Sequence, residues 1–274
     1  MRLKIRHDTI YSFAEPARSA LHVLRLTPRN LDSQFVRRWR IEIDGDARLD
    51  RGEDAHGNIT HTVFVDGPLE TLRISVTGEV DTGDTTGIMR GTVERLPQAL
   101  YLRETDLTTA TGDIRAFAEA ALAAEAGDHL ATMHRMMAEL HTVLTITERD
   151  ADFSGKAGTT FADKTGNVQD AAHLLVVAAR CAGIPARLVT GYLFEDDEAG
   201  AHSAHAWMEA AFGRVGWIGF DVTRKLCVTD RYVRVATGAD YLDAAPVRGA
   251  SLGGGAESRE VSVRIEQGRQ VIEG

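Results

Sequence analysis

Asn167-Val168-Gln169-Asp170-Ala171-Ala172-His173-Leu174-Leu175-Val176-Val177-Ala178-Ala179-Arg180-Cys181 is apolar on almost every side from Val168 onward. Its length and alanine content predict a buried helix over 167–181, not a strand. Gly183-Ile184-Pro185 ends it, because proline cannot continue the hydrogen-bond ladder. Three strand-like segments follow, Ala186–Phe194, Ala204–Phe212 and Gly216–Val222, with connections short enough for antiparallel hairpins. The second half of the chain therefore reads as a buried helix followed by an antiparallel sheet.

Toward the N-terminus the period changes. Leu130, Met133, Met137, Leu140 and Leu144 recur at helical spacing, so these methionines are core filler. The stretch Asp81–Gly91, rich in Gly, Thr and Asp, is a linker candidate. Before it, Leu3 to Phe13 read as a first strand pair or a bent strand, and Val36 to Ile43, Ile59 to Phe64 and Leu72 to Val80 as further strands, with turn chemistry at Asp54-Ala55-His56-Gly57-Asn58. That pattern predicts a β-sandwich. The expected organisation is α+β: an N-terminal β-sandwich over 1–82, a linker over 83–112 and a core over 113–250. A C-terminal segment, 251–274, is expected to supply one terminal strand.

The bulk properties narrow the function. A net charge of −9 argues against nucleic acid, which needs a basic surface to displace counterions. Arg37, Arg38 and Arg40 cluster around Trp39, but strand alternation scatters them over both faces as solvated ends. No apolar run reaches the ~20 residues of a membrane span, and the first residues lack the apolar centre of a signal peptide. Two cysteines, Cys181 and Cys227, supply neither a disulfide framework nor a four-cysteine zinc site. A cytoplasmic protein with no cofactor is expected.

Four motifs follow one another in order. They are Gly166-Asn167-Val168-Gln169-Asp170-Ala171-Ala172-His173, Gly183-Ile184-Pro185-Ala186-Arg187-Leu188-Val189-Thr190-Gly191-Tyr192, His205-Ala206-Trp207-Met208-Glu209 and Gly216-Trp217-Ile218-Gly219-Phe220-Asp221-Val222-Thr223. Tyr232-Val233-Arg234-Val235-Ala236 and Ala245-Pro246-Val247-Arg248-Gly249 come after them. His22-Val23-Leu24-Arg25-Leu26-Thr27-Pro28-Arg29 and Gly57-Asn58 precede them. Together they resemble the bacterial transglutaminase-like superfamily, cysteine-protease type, with its N-terminal β domain. The resemblance implies a papain-like core in which a buried helix packs on an antiparallel sheet. The family pattern there is close to G-V-C-Q-D-x-A-H, then H-A-W-x-E, then G-W-x-x-F-D-P-T.

The family's chemistry needs a cysteine at a helix start, where the helix dipole favours thiolate, a histidine that moves the proton, and an aspartate that orients the imidazole. By resemblance His205 is the base, Asp221 the orienting acid, and the nucleophile position is Val168, which has no nucleophilic atom. The approach Thr159–Asn167 is also shorter than the family's. Trp207 and Gln169 are the binding candidates, Trp207 a core aromatic first. Arg187 is expected to be an ion-pair partner beside the site, and His173 a satisfied core histidine. Asp170 is expected to bond free N–H groups at the helix start.

These residues imply a pseudoenzyme with a remnant dyad, binding a peptide or protein partner through the residual cleft. The alternative is an active amide hydrolase or acyl transferase using a non-standard nucleophile or a metal. Cys181 lies about thirteen residues along the helix from Val168, some 20 Å away, and Cys227 follows Asp221 in a loop. Thr165 and Ser203 are near the site in sequence, but neither occupies the helix start. His202 and His205 fall on opposite faces of a strand, which argues against a metal held by both.

Overall fold

The computed structural model describes residues 1–147, 155–196 and 204–268. In chain order the elements begin with β1 (Arg2–Thr27), β2 (Gln34–Ile43), β3 (Ala47–Glu53), β4 (Ile59–Thr82) and β5 (Ile88–Met89). A short 3-10 turn, Gln98–Leu102, precedes α1 (Gly112–Ala124), α2 (His129–Val143), β6 (Thr145–Ile146), α3 (Ala157–Asp163) and β7 (Thr165–Gly166). Then come α4 (Val168–Cys181), β8 (Ala186–Leu193), β9 (Ala204–Ala211), β10 (Trp217–Asp221), β11 (Leu226–Cys227) and β12 (Tyr232–Gly238). The chain closes with α5 (Tyr241–Ala244), β13 (Val247–Gly253) and β14 (Glu257–Gln267).

The N-terminal sheet is built on two long strands. β1 and β4 pair antiparallel along nearly their whole length, with register shifts between Ser12 and Ser19. Those bulges divide the sheet, because an extra residue bends the strand and sharpens its twist. On one side of the bend β14 and β2 flank the pair; on the other, β13 and β3 do. Tyr11, Leu72, Ile74 and Val76 from the first half meet Ala20, Leu24, Val63 and Val65 from the second in one apolar cluster. The β domain is thus a pair of packed half-sheets sharing their central strands. The stretch after 250, expected as one strand, supplies the end of β13 and all of β14, and both pair with β1. The alternation in β14 is faint because it faces solvent over most of its length.

The core is the expected helix on an antiparallel sheet. Its strands run in the order β11-β10-β9-β8-β12, and β5 pairs with β10. Leu174, Leu175 and Val177 of α4 pack with Met133, Met136 and Leu140 of α2 and with Met208, Ala210 and Phe220 of the sheet. The α4 start is a reciprocal capping box: Asn167 Oδ1 accepts the Asp170 N–H, and Asp170 accepts the Asn167 N–H. Asp170 also accepts the N–H of Gly155.

Two side-chain amides bolt the β domain to β12 by acting as surrogate peptide groups. Asn58 donates to Thr237 O at 2.7 Å and accepts Thr237 N–H at 2.8 Å. Gln34 donates to Arg234 O at 2.9 Å and accepts Arg234 N–H at 2.8 Å. Leu3, Ile5 and Val80 of the β domain also bury against Tyr192, Phe194, Val233 and Val235 of the core. The 83–112 stretch, expected as a linker, lies against the core as well. Met89 and Tyr101 are buried with Trp207 and Trp217, and Glu94 pairs with Arg187. Its Gly and Thr content signalled turns, whereas two spaced apolar side chains suffice to pin it down.

Candidate active site

Strand parity sets the site. On β9, Met208 and Ala210 pack in the α4 core, and Ala206 packs beside Ala172. Alternation therefore puts His205, Trp207 and Glu209 on the opposite face. Asp221 likewise alternates with Phe220 on neighbouring β10. His205 Nε2 donates to Asp221 Oδ2 at 2.6 Å. The imidazole stacks on Trp207, centroids 6.3 Å apart and planes 27° apart. Gly191 stands opposite His205 on β8 because any side chain there would strike Val233 O and the Trp207 ring.

Asp221 has more partners than the motif suggested. The Tyr232 hydroxyl donates to Oδ2 at 2.8 Å. Oδ1 accepts the Thr223 N–H at 2.8 Å, the Thr223 hydroxyl at 2.7 Å and the Arg224 N–H at 3.2 Å. Burial alone would raise this carboxyl; the bonds and charge from His205, with Thr223 and Tyr232, outweigh it and hold the carboxyl below its usual range. The Thr223 contacts form a side-chain-to-backbone turn that Asp221-Val222-Thr223 could have signalled. Tyr232 lies eleven residues away on the far edge strand, and no local pattern points to it.

Val168 is the first residue of α4 and is half-buried against the cluster of Ala172, Leu188, Ala206 and Tyr241. Its neighbour Gln169, 5% exposed, lines a cavity with His205. That cavity measures about 40 Å³, is partly open to solvent and is also lined by His7 and Thr9 of β1 and by Tyr241 and Arg259. A wider space of about 260 Å³ adjoins it, sharing Tyr241, Val247 and Arg259 as lining.

The other candidates lie apart. Cys181 ends α4, and Cys227 pairs with Phe220, on the side of the sheet facing the helix core and away from Asp221. Burial raises both thiols, which favours the unreactive protonated form. Thr165 donates to Asp163 O at 3.3 Å. His202 and Ser203 lie outside the described residues. Among the described residues no group of three or more His, Cys, Asp or Glu is disposed to hold a metal ion.

Arg187 is 1% exposed and donates to Glu209 at 2.7 Å and to Glu94 at 3.0 Å. Its guanidinium also covers Trp217, 3.8 Å from the ring centroid. Burial opposes ionisation of Glu209, but Arg234 and Arg187 together hold its carboxyl below the usual range. Arg180, unremarked in the sequence, is a buried cation that donates to Tyr101 O, Ala186 O, Ala239 O and Thr108 Oγ1. His173 accepts the Tyr241 N–H through Nε2 at 2.9 Å, while its Nδ1 has no partner among the described residues.

Residues 3–81 match the model of the bacterial transglutaminase-like N-terminal region, and residues 115–222 match that of the transglutaminase-like superfamily. An uncharacterized protein of Mycobacterium leprae is 28% identical, over 96% of this chain and 98% of its own. An uncharacterized protein of Mycobacterium tuberculosis is also 28% identical, over 90% of this chain and 87% of its own. The crystal structure of "a Putative Cysteine Protease from Cytophaga hutchinsonii" superposes with a TM-score of 0.69 at 21% identity, covering 97% of this chain and 90% of that one. It shares the fold. Motif order, paired domains and these matches agree: the chain belongs to the transglutaminase-like superfamily, with the bacterial N-terminal region preceding its core.

Proposed function

We propose that this chain binds a peptide or protein partner beside His205 and performs no acyl transfer. The observation that carries this reading is Val168 at the first position of α4, where the family pattern has cysteine. A valine offers only methyl groups, and no other thiol lies on the dyad's face of the sheet. The intact dyad does not argue for turnover. Asp221 organises the turn 221–224 and anchors His205 and Tyr232, so it has a structural task without any nucleophile.

Val168→Cys tests the reading. The wild-type chain should neither cleave peptide amides nor incorporate amines. The variant should gain a thiol whose alkylation by iodoacetamide saturates with pH at a midpoint below the free value of about 8.5. Cys181 and Cys227 remain slow in both proteins. Robust turnover by the unmodified chain refutes the proposal.

A further inference from the structure

We infer that a groove on the helical side of the core binds an apolar small molecule ending in a carboxylate, with Lys164 and Lys225 as its counter-ions. This goes beyond the reading above, because the groove shares no lining residue with the space at His205. Three helices and one turn shape it. Phe117 of α1, Leu140 and Val143 of α2, Phe161 of α3 and Lys225 of the turn between β10 and β11 converge there. The space measures about 460 Å³ and is open to solvent. That volume lies within the roughly 300–1,000 Å³ of small-molecule sites, and an apolar lining with a few polar groups is their composition. A single groove of this size falls short of the roughly 800 Å² that each side of a stable protein interface buries. Phe117 and Phe161 meet with ring centroids 5.7 Å apart and planes 52° apart, and both are only partly buried. Val143 beside them is 46% exposed. Aromatic and aliphatic surface is thus left facing the groove.

The charge at the rim selects the end group. Only four of the 31 basic residues are lysines, Lys4, Lys156, Lys164 and Lys225, and two of the four line this groove. Arginine supplies the structural ion pairs elsewhere, such as Arg187 with Glu209. Lys164 and Lys225 make no ion pair and no side-chain hydrogen bond among the described residues. Lys164 instead holds its Nζ over the Phe161 ring, 3.5 Å from the centroid, at the wall of the groove. Both lysines have left-handed backbones, with φ of 56° and 53°. Glycine or asparagine takes that conformation with less strain, and strained residues concentrate at functional sites. Helix ends at Val143 and Asp163 attract these cations in part, but neither ammonium donates to a helix carbonyl. Glu139, on the same wall, is taken up by Arg135 at 2.9 Å. Its charge tempers the site, which suits the single charge of a carboxylate better than the two of a phosphate monoester.

The test titrates the full chain with 6-phenylhexanoate and with 6-phenylhexanamide, by calorimetry at low salt. The acid should bind at least about threefold more tightly than the amide, the size expected of two partly exposed ion contacts. High salt should narrow that gap by screening. The double variant Lys164→Gln with Lys225→Gln should erase it while leaving the melting temperature near the wild-type value, since neither lysine makes an ion pair that holds the fold. Methyl NMR locates the site independently of the variant: the Val143 signals should move with the acid, and the His205 ring should not. Equal affinity for acid and amide, no binding of either at millimolar concentration, or unmoved Val143 signals would each overturn the inference. Tighter binding of N-acetyl-Asp-Phe-Asp-amide than of 6-phenylhexanoate, with the same Val143 shifts, would assign the groove to a protein partner and overturn it as well.

Discussion

Mild acid should destabilise this protein well before its carboxylates protonate, because two histidines are buried uncharged. His173 is fully buried, and its Nε2 accepts the Tyr241 N–H, so that nitrogen cannot hold a proton. Burial, assisted by the charge of Arg180, pushes its pKa down to about 3. His7 is 3% exposed between the Tyr192 hydroxyl and Thr9. Burial pushes its pKa down to about 4, Asp8 opposing and Arg259 assisting. In the unfolded chain both titrate near 6.5. A base whose pKa folding lowers binds its proton more readily when unfolded, so stability falls as pH drops from about 6.5 toward the folded value. At pH 5 each histidine lies about 1.5 units below its unfolded pKa, and at about 1.36 kcal/mol per unit each costs about 2 kcal/mol. Their sum, about 4 kcal/mol, is a large part of the roughly 5–15 kcal/mol that stabilises most folded chains. Asp221 has the opposite window: its depressed carboxyl supports folding above its unfolded pKa of about 4 and loses that contribution only below it. Comparing pH 7 with pH 5 therefore isolates the histidines. The assay is urea unfolding at the two values, for wild type and His7→Gln. Burial also lowers His22 and His61, which act in the same direction, so wild type should lose at least about 4 kcal/mol and the variant about 2 kcal/mol less than wild type. A wild-type loss below about 1 kcal/mol, or an equal loss in the variant, refutes the reasoning.

Asp221→Asn turns an amide N–H₂ toward donors that need an acceptor, the His205 ring and the Tyr232 hydroxyl, or else toward Thr223 and Arg224. The expected cost is about 2–4 kcal/mol, read as a fall of roughly 5–15 °C in melting temperature; an unchanged melt would remove Asp221's structural task. Arg187→Met leaves the fully buried Glu209 with Arg234 alone and frees Glu94, at a cost of about 3–5 kcal/mol. Adding Glu209→Met should recover part of that loss, and a double variant no better than the single would show that packing, not charge, holds the site.

What the sequence disclosed depended on how local each signal was. Helix α4 and strands β8 to β10 were legible because each of these elements is buried along nearly its whole length, and proline and glycine mark the breaks. β1 was harder. Ala14-Glu15-Pro16-Ala17-Arg18 interrupts the alternation, so of this strand of 26 residues only Leu3 to Phe13 read as strand. The irregularity is the bend that folds the sheet over. β14 was invisible as a core element because only Val263 and Ile265 along it are buried. At the site, motif order located His205 and Asp221, and their hydrogen bond is present. Tyr232 was not legible, since it reaches Asp221 from the opposite edge of the sheet. Arg180 was hidden for a related reason: it donates to backbone carbonyls of three separate segments and to the Thr108 hydroxyl, not to a carboxylate that a sequence pattern could pair with it.

The residues of the family pattern divide by what each does for the fold. Asp170 completes the α4 cap, His173 accepts a backbone N–H, Arg187 and Glu209 neutralise one another in the interior, and Asp221 satisfies five donors. Replacing any of these exposes a buried polar partner, at about 1–3 kcal/mol for a neutral group and more for a charge. Position 168 has no such tie. The α4 cap is made by the side chains of Asn167 and Asp170, and the first helical residue contributes none of it. A valine there meets Ala172 and Leu188 with apolar atoms, a contact worth about 0.8 kcal/mol per buried methylene. Position 168 is thus a place in the pattern whose side chain the cap and the ion pairs do not need. It can be exchanged while the dyad, the ion pairs and the cap stay where the fold needs them, so an intact His205–Asp221 pair is weak evidence of turnover in this scaffold.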